Sequence, residues 1–177
     1  MQKDVVDRVL KRWRDERPDL DPSPIAVVGR ILLLAGAFER RANDALAAHE
    51  LALSGFDVLA ALRRAGSPYS LTPTELLSCV LLTSGAMTNR IDRLEAKGLV
   101  VRMPDLDDRR SMRVGLTPKG LRLVDEAVPV RFEEARAALE TLTRQEEVLL
   151  GALLRKLILA LEMETPLHAS KPAMKTY

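Results

Sequence analysis

The sequence predicts a mainly α-helical fold with a small β-hairpin. Apolar residues recur at helical spacing along most of the chain, whereas a hydrophobic period of two occurs only around residues 99–103 and 112–116. Capping residues, prolines and glycines divide the helical part into separate segments. The 177 residues, of which 47% are hydrophobic, suffice to bury a core without disulfides. We therefore expect one domain built from helices and a single pair of strands.

The composition disfavours several classes of protein. The net charge of +2 gives no general reason to expect nucleic acid as a partner, and an aromatic content of 3% argues against a surface that stacks single-stranded bases. The lone Cys79 can form neither an intramolecular disulfide nor a metal cluster, so we expect no metal and no cofactor. No signal sequence or membrane-length apolar run is evident, which indicates a cytoplasmic protein with no membrane partner.

The first two helices precede residue 50. Residues 4–14 place apolar side chains on one face and charged side chains on the other. The apolar positions are Val5, Val6, Val9, Leu10 and Trp13. Three prolines then indicate a linker, and Ser23 with Pro24 is expected to begin a helix that runs to about His49. Residues 1–24 are thus assigned to an N-terminal helix and linker.

Two capping signals predict the next two helices. Ser54 is followed three residues later by Asp57, the spacing at which both side chains can bond to backbone N–H groups at a helix start. Thr72 and Glu75 repeat this spacing, with Pro73 at the first helical position. The second of these helices is expected to be short.

A third capping signal precedes the hairpin. Ser84 is expected to cap a helix that runs to Lys97, where Gly98 can adopt the left-handed conformation that ends a helix. The two stretches with a period of two then predict a pair of strands, joined by a polar loop at residues 104–110.

Two long helices complete the chain. Thr117 and Pro118 are expected to begin the first, which runs to about Leu142. Thr143 and Glu146 open the last helix, which has a broad apolar face. That face carries Val148, Leu149, Ala152, Leu153, Leu157, Ile158 and Leu161.

This order of elements is that of a winged helix-turn-helix: a short helix, a turn, a second helix and a hairpin with a charged loop. In that fold the helix at residues 84–97 enters the major groove of DNA, anchored by Ile91, Leu94 and Leu99. The side chains expected to contact DNA from this segment are Thr83, Ser84, Met87, Thr88, Asn89, Arg90 and Arg93. The alternative is an ordinary surface helix, which the neighbouring hairpin makes less favourable.

The hairpin loop carries two further candidates, Arg109 and Arg110. Arginines at a hairpin tip can enter the narrow minor groove, where the potential is most negative, while Asp107 and Asp108 hold them in position. The alternative is a solvated loop of mixed charge. Which of the two arginines enters the groove is left open.

A modest set of contacts per chain indicates a homodimer that binds paired half-sites of double-stranded DNA. The flanking helices have more apolar surface than the small DNA-binding core can cover. We therefore assign a winged-helix domain to residues 25–163, with the DNA-binding core at about 53–118 and additional dimerisation helices at about 25–48 and 119–163. The tail at 164–177 shows no pattern and is expected to be flexible.

The hairpin and the helix before it resemble the MarR family of bacterial regulators. The matching residues are 74–76 (TEL), 89–100 (NRIDRLEAKGLV), Arg102, 107–110 (DDRR) and 116–120 (LTPKG), and the resemblance covers roughly residues 50–122. It implies a homodimer that binds a palindromic operator, usually as a repressor, and releases it when a small ligand or an oxidant arrives.

A narrower resemblance is to the urate-responsive, PecS-like subgroup, whose additional N-terminal helix bears a tryptophan. It implies that Trp13, Asp57, Arg90 and Arg102 bind a small anionic aromatic ligand. Each residue has an alternative role. Trp13 can be a core residue and Asp57 a capping residue, while Arg90 and Arg102 can contact DNA phosphates.

Two other kinds of function remain as alternatives. A thiol-based oxidant sensor would use Cys79, although its apolar neighbours indicate a buried hydrophobic residue instead. A helical interaction protein that does not bind DNA would leave the arginine-bearing hairpin unexplained. An enzyme is not expected, because the sequence has two histidines and no metal, phosphate-loop or nucleophile motif.

Overall fold

The computed structural model describes residues 2–80, 87–105 and 111–164. Its elements in chain order are α1 (Val5–Glu16), α2 (Ile25–Leu46), α3 (Leu53–Arg64), β1 (Ser70–Leu71), α4 (Pro73–Cys79), α5 (Met87–Ala96), β2 (Val100–Pro104), β3 (Met112–Leu116), α6 (Pro118–Ala138) and α7 (Arg144–Glu164). A 3₁₀ turn, Ala47–His49, follows α2. The predicted mainly α-helical fold with a small β-structure is confirmed.

The chain divides into two compact units, with the boundary between Asp44 and Ala45 near the end of α2. In the N-terminal unit, α1 begins with a capping box in which Asp4 and Asp7 each accept the other's backbone N–H. The Arg30 guanidinium of α2 donates to both carboxylates at 2.8 Å. The hydrogen bond from the backbone N–H of Asp7 is the main interaction that lowers the pKa of Asp4, and the hydrogen bond from Arg30 lowers it further. This ion-pair cluster fixes α1 against α2.

The core of the C-terminal unit is built around α3. Every residue of this helix from Phe56 to Leu62 is buried. The surrounding core side chains come mainly from α4, α5, β2, β3 and α6, and include Leu76, Ile91, Leu94, Leu99, Val100, Val114 and Val124. Because this stretch is buried and apolar apart from Asp57, α3 is a core helix rather than a surface helix.

The predicted capping box at Ser54 is wrong. Helix α3 begins at Leu53, and its N-cap, Ala52, makes no side-chain capping bond. Ser54 therefore lies within the first turn, and Asp57 is buried with only 4% of its surface exposed. The capping box of α4 is confirmed, because Glu75 N–H donates to the Thr72 hydroxyl at 3.2 Å and Thr72 N–H to the Glu75 carboxylate at 2.7 Å. The bonds that the Thr72 N–H and the Thr72 hydroxyl donate to the Glu75 carboxylate lower the pKa of Glu75.

The hairpin is confirmed as part of a three-stranded antiparallel sheet with the order β1-β3-β2. Val100 pairs with Leu116 at one end of the β2–β3 ladder, and Pro104 pairs with Met112 at the other. Strand β1 was not predicted from the sequence, because two residues are too few to show a period. Its Ser70 pairs with Gly115 of the central strand.

The helix ends largely follow the predicted signals. Gly98 has a φ of +68° just beyond α5, and Thr117 caps α6 by accepting from Gly120 N–H. Thr143 and Glu146 cap α7 reciprocally. Helix α6 ends at Ala138, four residues before the predicted end. The predicted cap at Ser84 lies outside the described residues.

Within the described ranges, no single helix is long and apolar enough to cross a membrane. One pair of helices, Ile25–His49 with Leu53–Arg64, meets the criteria of length and composition only when the two are taken together across a sharp bend.

The start of α6 lies against the end of α5. The Thr117 hydroxyl donates to the carbonyl of Gly98 at 2.8 Å and lies 3.2 Å from that of Leu99. A Cβ atom on Gly120 would lie 1.9 Å from the Leu99 carbonyl oxygen. Only glycine therefore allows the two backbones to approach this closely.

Replacing Gly120 with alanine should lower the free energy of unfolding by roughly 2 kcal/mol or more, because the backbone on both sides must move. Gly55→Ala is the matched control. Its Cβ would meet only side-chain atoms, at 3.5 and 4.0 Å, so a change within about 1 kcal/mol is expected. Urea unfolding at one fixed protein concentration measures both changes. Equal stability of the two variants would contradict the close approach.

Candidate nucleic-acid interface

Helix α5 has one face in the core and one face in solvent. Its residues Met87, Ile91 and Leu94 are buried at the helical spacing of four and three. The anchoring role predicted for Ile91 and Leu94 agrees with this placement, as does the burial of Leu99. The DNA contact predicted for Met87 disagrees with this placement, because Met87 is only 6% exposed and belongs to the core.

The solvent face of α5 carries Thr88, Asn89 and Arg93, all of them exposed. Arg90 is half-buried, and its Nη1 atom is fully buried without a hydrogen-bond partner among the described residues. The other predicted DNA contacts, Thr83, Ser84, Arg109 and Arg110, lie outside the described residues. The described part of the helix thus presents these three side chains together with Asp92, which is also exposed.

Arg102 of β2 binds back onto α5. Its guanidinium donates to the carboxylates of Asp92 and Glu95, and its backbone N–H donates to Glu95 at 3.1 Å. The hydrogen bond with Asp92 is the main reason that the pKa of Arg102 is raised. Arg102 was predicted to bind a ligand or to contact a DNA phosphate, and its hydrogen bonds to Asp92 and Glu95 were not predicted. In this structure Arg102 holds the hairpin against the helix.

Arg113 of β3 forms a second link, at the loop end of the hairpin. It donates to the Asp105 carboxylate at 3.0 Å, to the Ser70 carbonyl oxygen at 2.9 Å and to Glu75 at 3.4 Å. Asp105 is 8% exposed, and its backbone N–H donates to the Ser111 carbonyl at 2.9 Å. The base of the loop that bears the predicted wing arginines is therefore fixed to β1 and to the start of α4.

Sequence reasoning did not find the roles of Asp105 and Arg113, because their pairing depends on the register of the hairpin and the other partners of Arg113, Ser70 and Glu75, lie in a distant segment. For Arg102 a signal was present. Asp92 and Glu95 are three residues apart on a helix, so they share one face and can receive a single guanidinium.

Two lysines link the end of α5 to its neighbours. The Lys97 ammonium donates to the Glu50 carbonyl at 2.7 Å, and the Lys119 ammonium donates to the Lys97 carbonyl at 2.9 Å. A cation near the last carbonyls of a helix is favourable, since these groups have no partner within the helix.

A cavity of about 600 Å³ lies between α3 and α6. Its apolar wall is formed by Leu53, Phe56, Ala60, Val128, Phe132 and Ala135. Its charged lining consists of Asp57, Arg63, Arg64, Asp125 and Arg131. Of the predicted ligand-binding residues in the C-terminal unit, Asp57 therefore lines the cavity, whereas Arg90 and Arg102 do not.

Two residues discussed as possible core residues are exposed. Trp13 is 51% exposed on α1 of the N-terminal unit, where Val6 and Leu10 form the buried face. Cys79, at the end of α4, is also exposed. Its interpretation as a buried hydrophobic residue is therefore wrong, because the apolar neighbours Leu76 and Val80 occupy the core side of that turn.

The short helix α4, the solvent-facing α5 and the β2–β3 hairpin define a winged helix-turn-helix protein. A family model described as "MarR family" matches residues 49–111. The transcriptional regulator PecS of Dickeya dadantii (strain 3937) is 35% identical over 149 residues, which are 84% of this chain and 90% of that protein. This chain belongs to the MarR family, in its PecS-like subgroup.

Solved structures agree with this assignment. A cysteine-to-serine mutant of MarR from E. coli, complexed with operator DNA, has a TM-score of 0.67 and 25% identity, over 88% of this chain and 99% of that one. BpsR of Bordetella bronchiseptica, whose DNA binding is regulated by 6-hydroxynicotinic acid, has a TM-score of 0.67 and 28% identity, over 75% of this chain and 94% of that one.

A double-mutant cycle tests the ion pair between Arg113 and Asp105 at the loop end of the hairpin. Arg113→Gln and Asp105→Asn should each lower the free energy of unfolding by about 1–3 kcal/mol, because each removes the charge-assisted hydrogen bond between these two shielded side chains. The double variant should lose less than the sum of the two. Arg136→Gln, which breaks an exposed pair with Glu133, is the control and should leave stability unchanged. Strict additivity in urea unfolding would show that the two side chains do not interact.

Proposed function

We propose that this protein is a homodimeric transcriptional repressor rather than an enzyme. In this proposal it binds double-stranded DNA at a palindromic operator and is released by a small anionic ligand. The observation that carries the proposal is the solvent-facing side of α5, which is anchored in the core by Ile91 and Leu94 and held beside the hairpin by Arg102. Such a helix can insert its polar side chains into the major groove without losing its own packing.

The residues proposed to read DNA differ in their support. Thr88, Asn89 and Arg93 are exposed on α5, so they are available to base edges and phosphates. Arg109 and Arg110 are proposed to enter the minor groove from the loop between β2 and β3. The support for that role is that the described residues on either side of the loop, Asp105 and Arg113, are bonded to each other and to β1. The likeness to MarR complexed with operator DNA agrees with this assignment.

Apolar side chains left in solvent support the homodimer. On α2 the exposed large apolar residues are Ile25, Val27, Val28, Ile31, Leu32, Leu33 and Leu34. On α7 they are Val148, Leu149, Leu150, Leu153, Leu157, Ile158, Leu159, Leu161 and Met163. Apolar faces of this extent are unfavourable in water and mark surfaces of association. A second copy of the chain, related by a two-fold axis, would cover them and match a palindromic operator.

The cavity between α3 and α6 supports a small ligand. Its volume of about 600 Å³ is in the ordinary range for ligand pockets, and it combines an apolar wall with a few charged groups. The three arginines of the lining outnumber its two aspartates, Asp57 and Asp125, and this excess of positive charge favours an anion. The regulation of BpsR by 6-hydroxynicotinic acid indicates that a planar aromatic acid is a suitable class of ligand to test.

Selection of duplex DNA by the purified full-length protein, without ligand, tests the proposal. Wild type should enrich a palindrome, and Arg109→Ala with Arg110→Ala should bind it at least about tenfold more weakly, or about 1.4 kcal/mol. The control, Arg136→Ala with Arg144→Ala, removes the same charge from exposed pairs with neighbouring glutamates and should bind like wild type. Absence of enrichment, or equal binding by both double variants, would refute DNA reading by the wing.

A further inference from the structure

We propose that Arg64 is the residue through which a planar aromatic acid, bound between α3 and α6, acts on the helix-turn-helix. This inference rests on the proposed ligand response. Arg64 has a positioning role in it, because the residue lines the cavity while its side chain donates to the end of α4.

The three arginines that line the cavity have partners of different charge. Arg63 donates to the Asp125 carboxylate at 2.7 Å and lies over the ring of Tyr69, 5.1 Å from its centroid. Arg131 donates to the Glu134 carboxylate at 2.6 Å. Among the described residues, by contrast, Arg64 donates at 2.8 Å to a neutral group, the backbone carbonyl of Cys79.

This difference makes Arg64 the arginine that an anion can recruit at the lowest cost. A ligand carboxylate that bound Arg63 or Arg131 would have to displace or share an existing carboxylate. At Arg64 it would replace a hydrogen bond to a neutral carbonyl with a charge-assisted bond between two ions, which is the stronger kind. The exposure of Arg64 allows its long side chain to turn towards the cavity.

Asp57 defines the other polar end of the same site. It lies seven residues before Arg64 on α3, so the two residues project from the same face, about 10.5 Å apart along the helix axis. Asp57 is buried in the cavity wall, and a carboxylate has several acceptor positions. A ligand that satisfies both ends is a planar ring with an acid on one edge and an N–H or O–H donor on the opposite edge. In 6-hydroxynicotinic acid the carboxylate and the hydroxyl are on opposite edges of the ring.

The carbonyl that Arg64 would release is at a sensitive position. Cys79 is the last residue of α4, the first helix of the helix-turn-helix, and the next residue, Val80, is buried in the core. The last carbonyls of a helix have no partner within the helix, so an outside donor restrains that end. When Arg64 turns to the ligand, the end of α4 loses this restraint. Ligand binding therefore opposes the arrangement of α4 and α5 that binds DNA.

The single cysteine provides a direct measurement of this change. The thiolate is the reactive form of cysteine, and the Arg64 guanidinium is bound at Cys79. The rate at which iodoacetamide alkylates Cys79 is therefore divided by the thiolate fraction, which its pH dependence gives, and this corrected rate reports the freedom of the end of α4. In wild type, saturating 6-hydroxynicotinic acid should raise this rate at least about threefold. Arg64→Gln should have a raised rate without the acid, should show no further increase with it, and should bind it at least about tenfold more weakly in calorimetry.

Arg63→Gln is the matched control, because Arg63 lines the same cavity but contacts Asp125 rather than α4. It should retain the increase in alkylation at saturating acid, even if its affinity for the acid falls. Thermal unfolding shows whether each variant is folded. The inference is overturned if wild type does not bind the acid, if the acid leaves the alkylation rate of wild type unchanged, or if Arg64→Gln responds like wild type. None of these results affects the selection of DNA without ligand, so failure of the inference and failure of DNA binding are distinguishable.

Discussion

The close contact between Gly120 and Leu99 is the constraint on which the rest of the C-terminal unit depends. At this point the end of α5, the start of β2 and the start of α6 meet within one hydrogen-bonded junction, in which the Thr117 hydroxyl bonds to the last carbonyls after α5. Because no side chain fits at residue 120, the direction of α6 is coupled to that of α5. The position of any surface that α6 forms with another chain is therefore coupled to the position of α5, the proposed DNA-reading helix.

Two guanidinium groups then set the position of the hairpin. Arg102 joins β2 to the carboxylates of α5, and Arg113 joins β3 to Asp105, to β1 and to the start of α4. Both arginines form ion pairs within the protein, although their charge alone would suggest that they bind DNA or a ligand. The protein thus uses some of its arginines to hold the interface, whereas others, such as Arg93, are exposed where a partner in solution can reach them. The net charge of +2 therefore says little about either role.

Much of the fold could be predicted because its signals are local. Hydrophobic periods identified the helices and the hairpin, and the caps at Thr72 and Thr117 formed as expected. The capping box predicted at Ser54 was wrong because the same residue types also occur within the first turn of a helix. Strand β1 was too short to show a hydrophobic period. The candidate site was predicted less completely. The burial of Met87, the exposure of Cys79 and the partners of the arginines depend on contacts between distant segments, which no local pattern encodes.

The central claim is that one helix and one wing of each protomer read the two grooves of DNA. Base-analogue interference on the selected duplex tests it most directly, because 7-deazaguanine removes a major-groove acceptor and 2,6-diaminopurine adds an amino group to the minor groove of A·T pairs. The account predicts two patches of major-groove interference about one helical turn apart, each flanked by minor-groove interference that disappears with Arg109→Ala and Arg110→Ala. Interference in a single patch, or in neither groove, would contradict it.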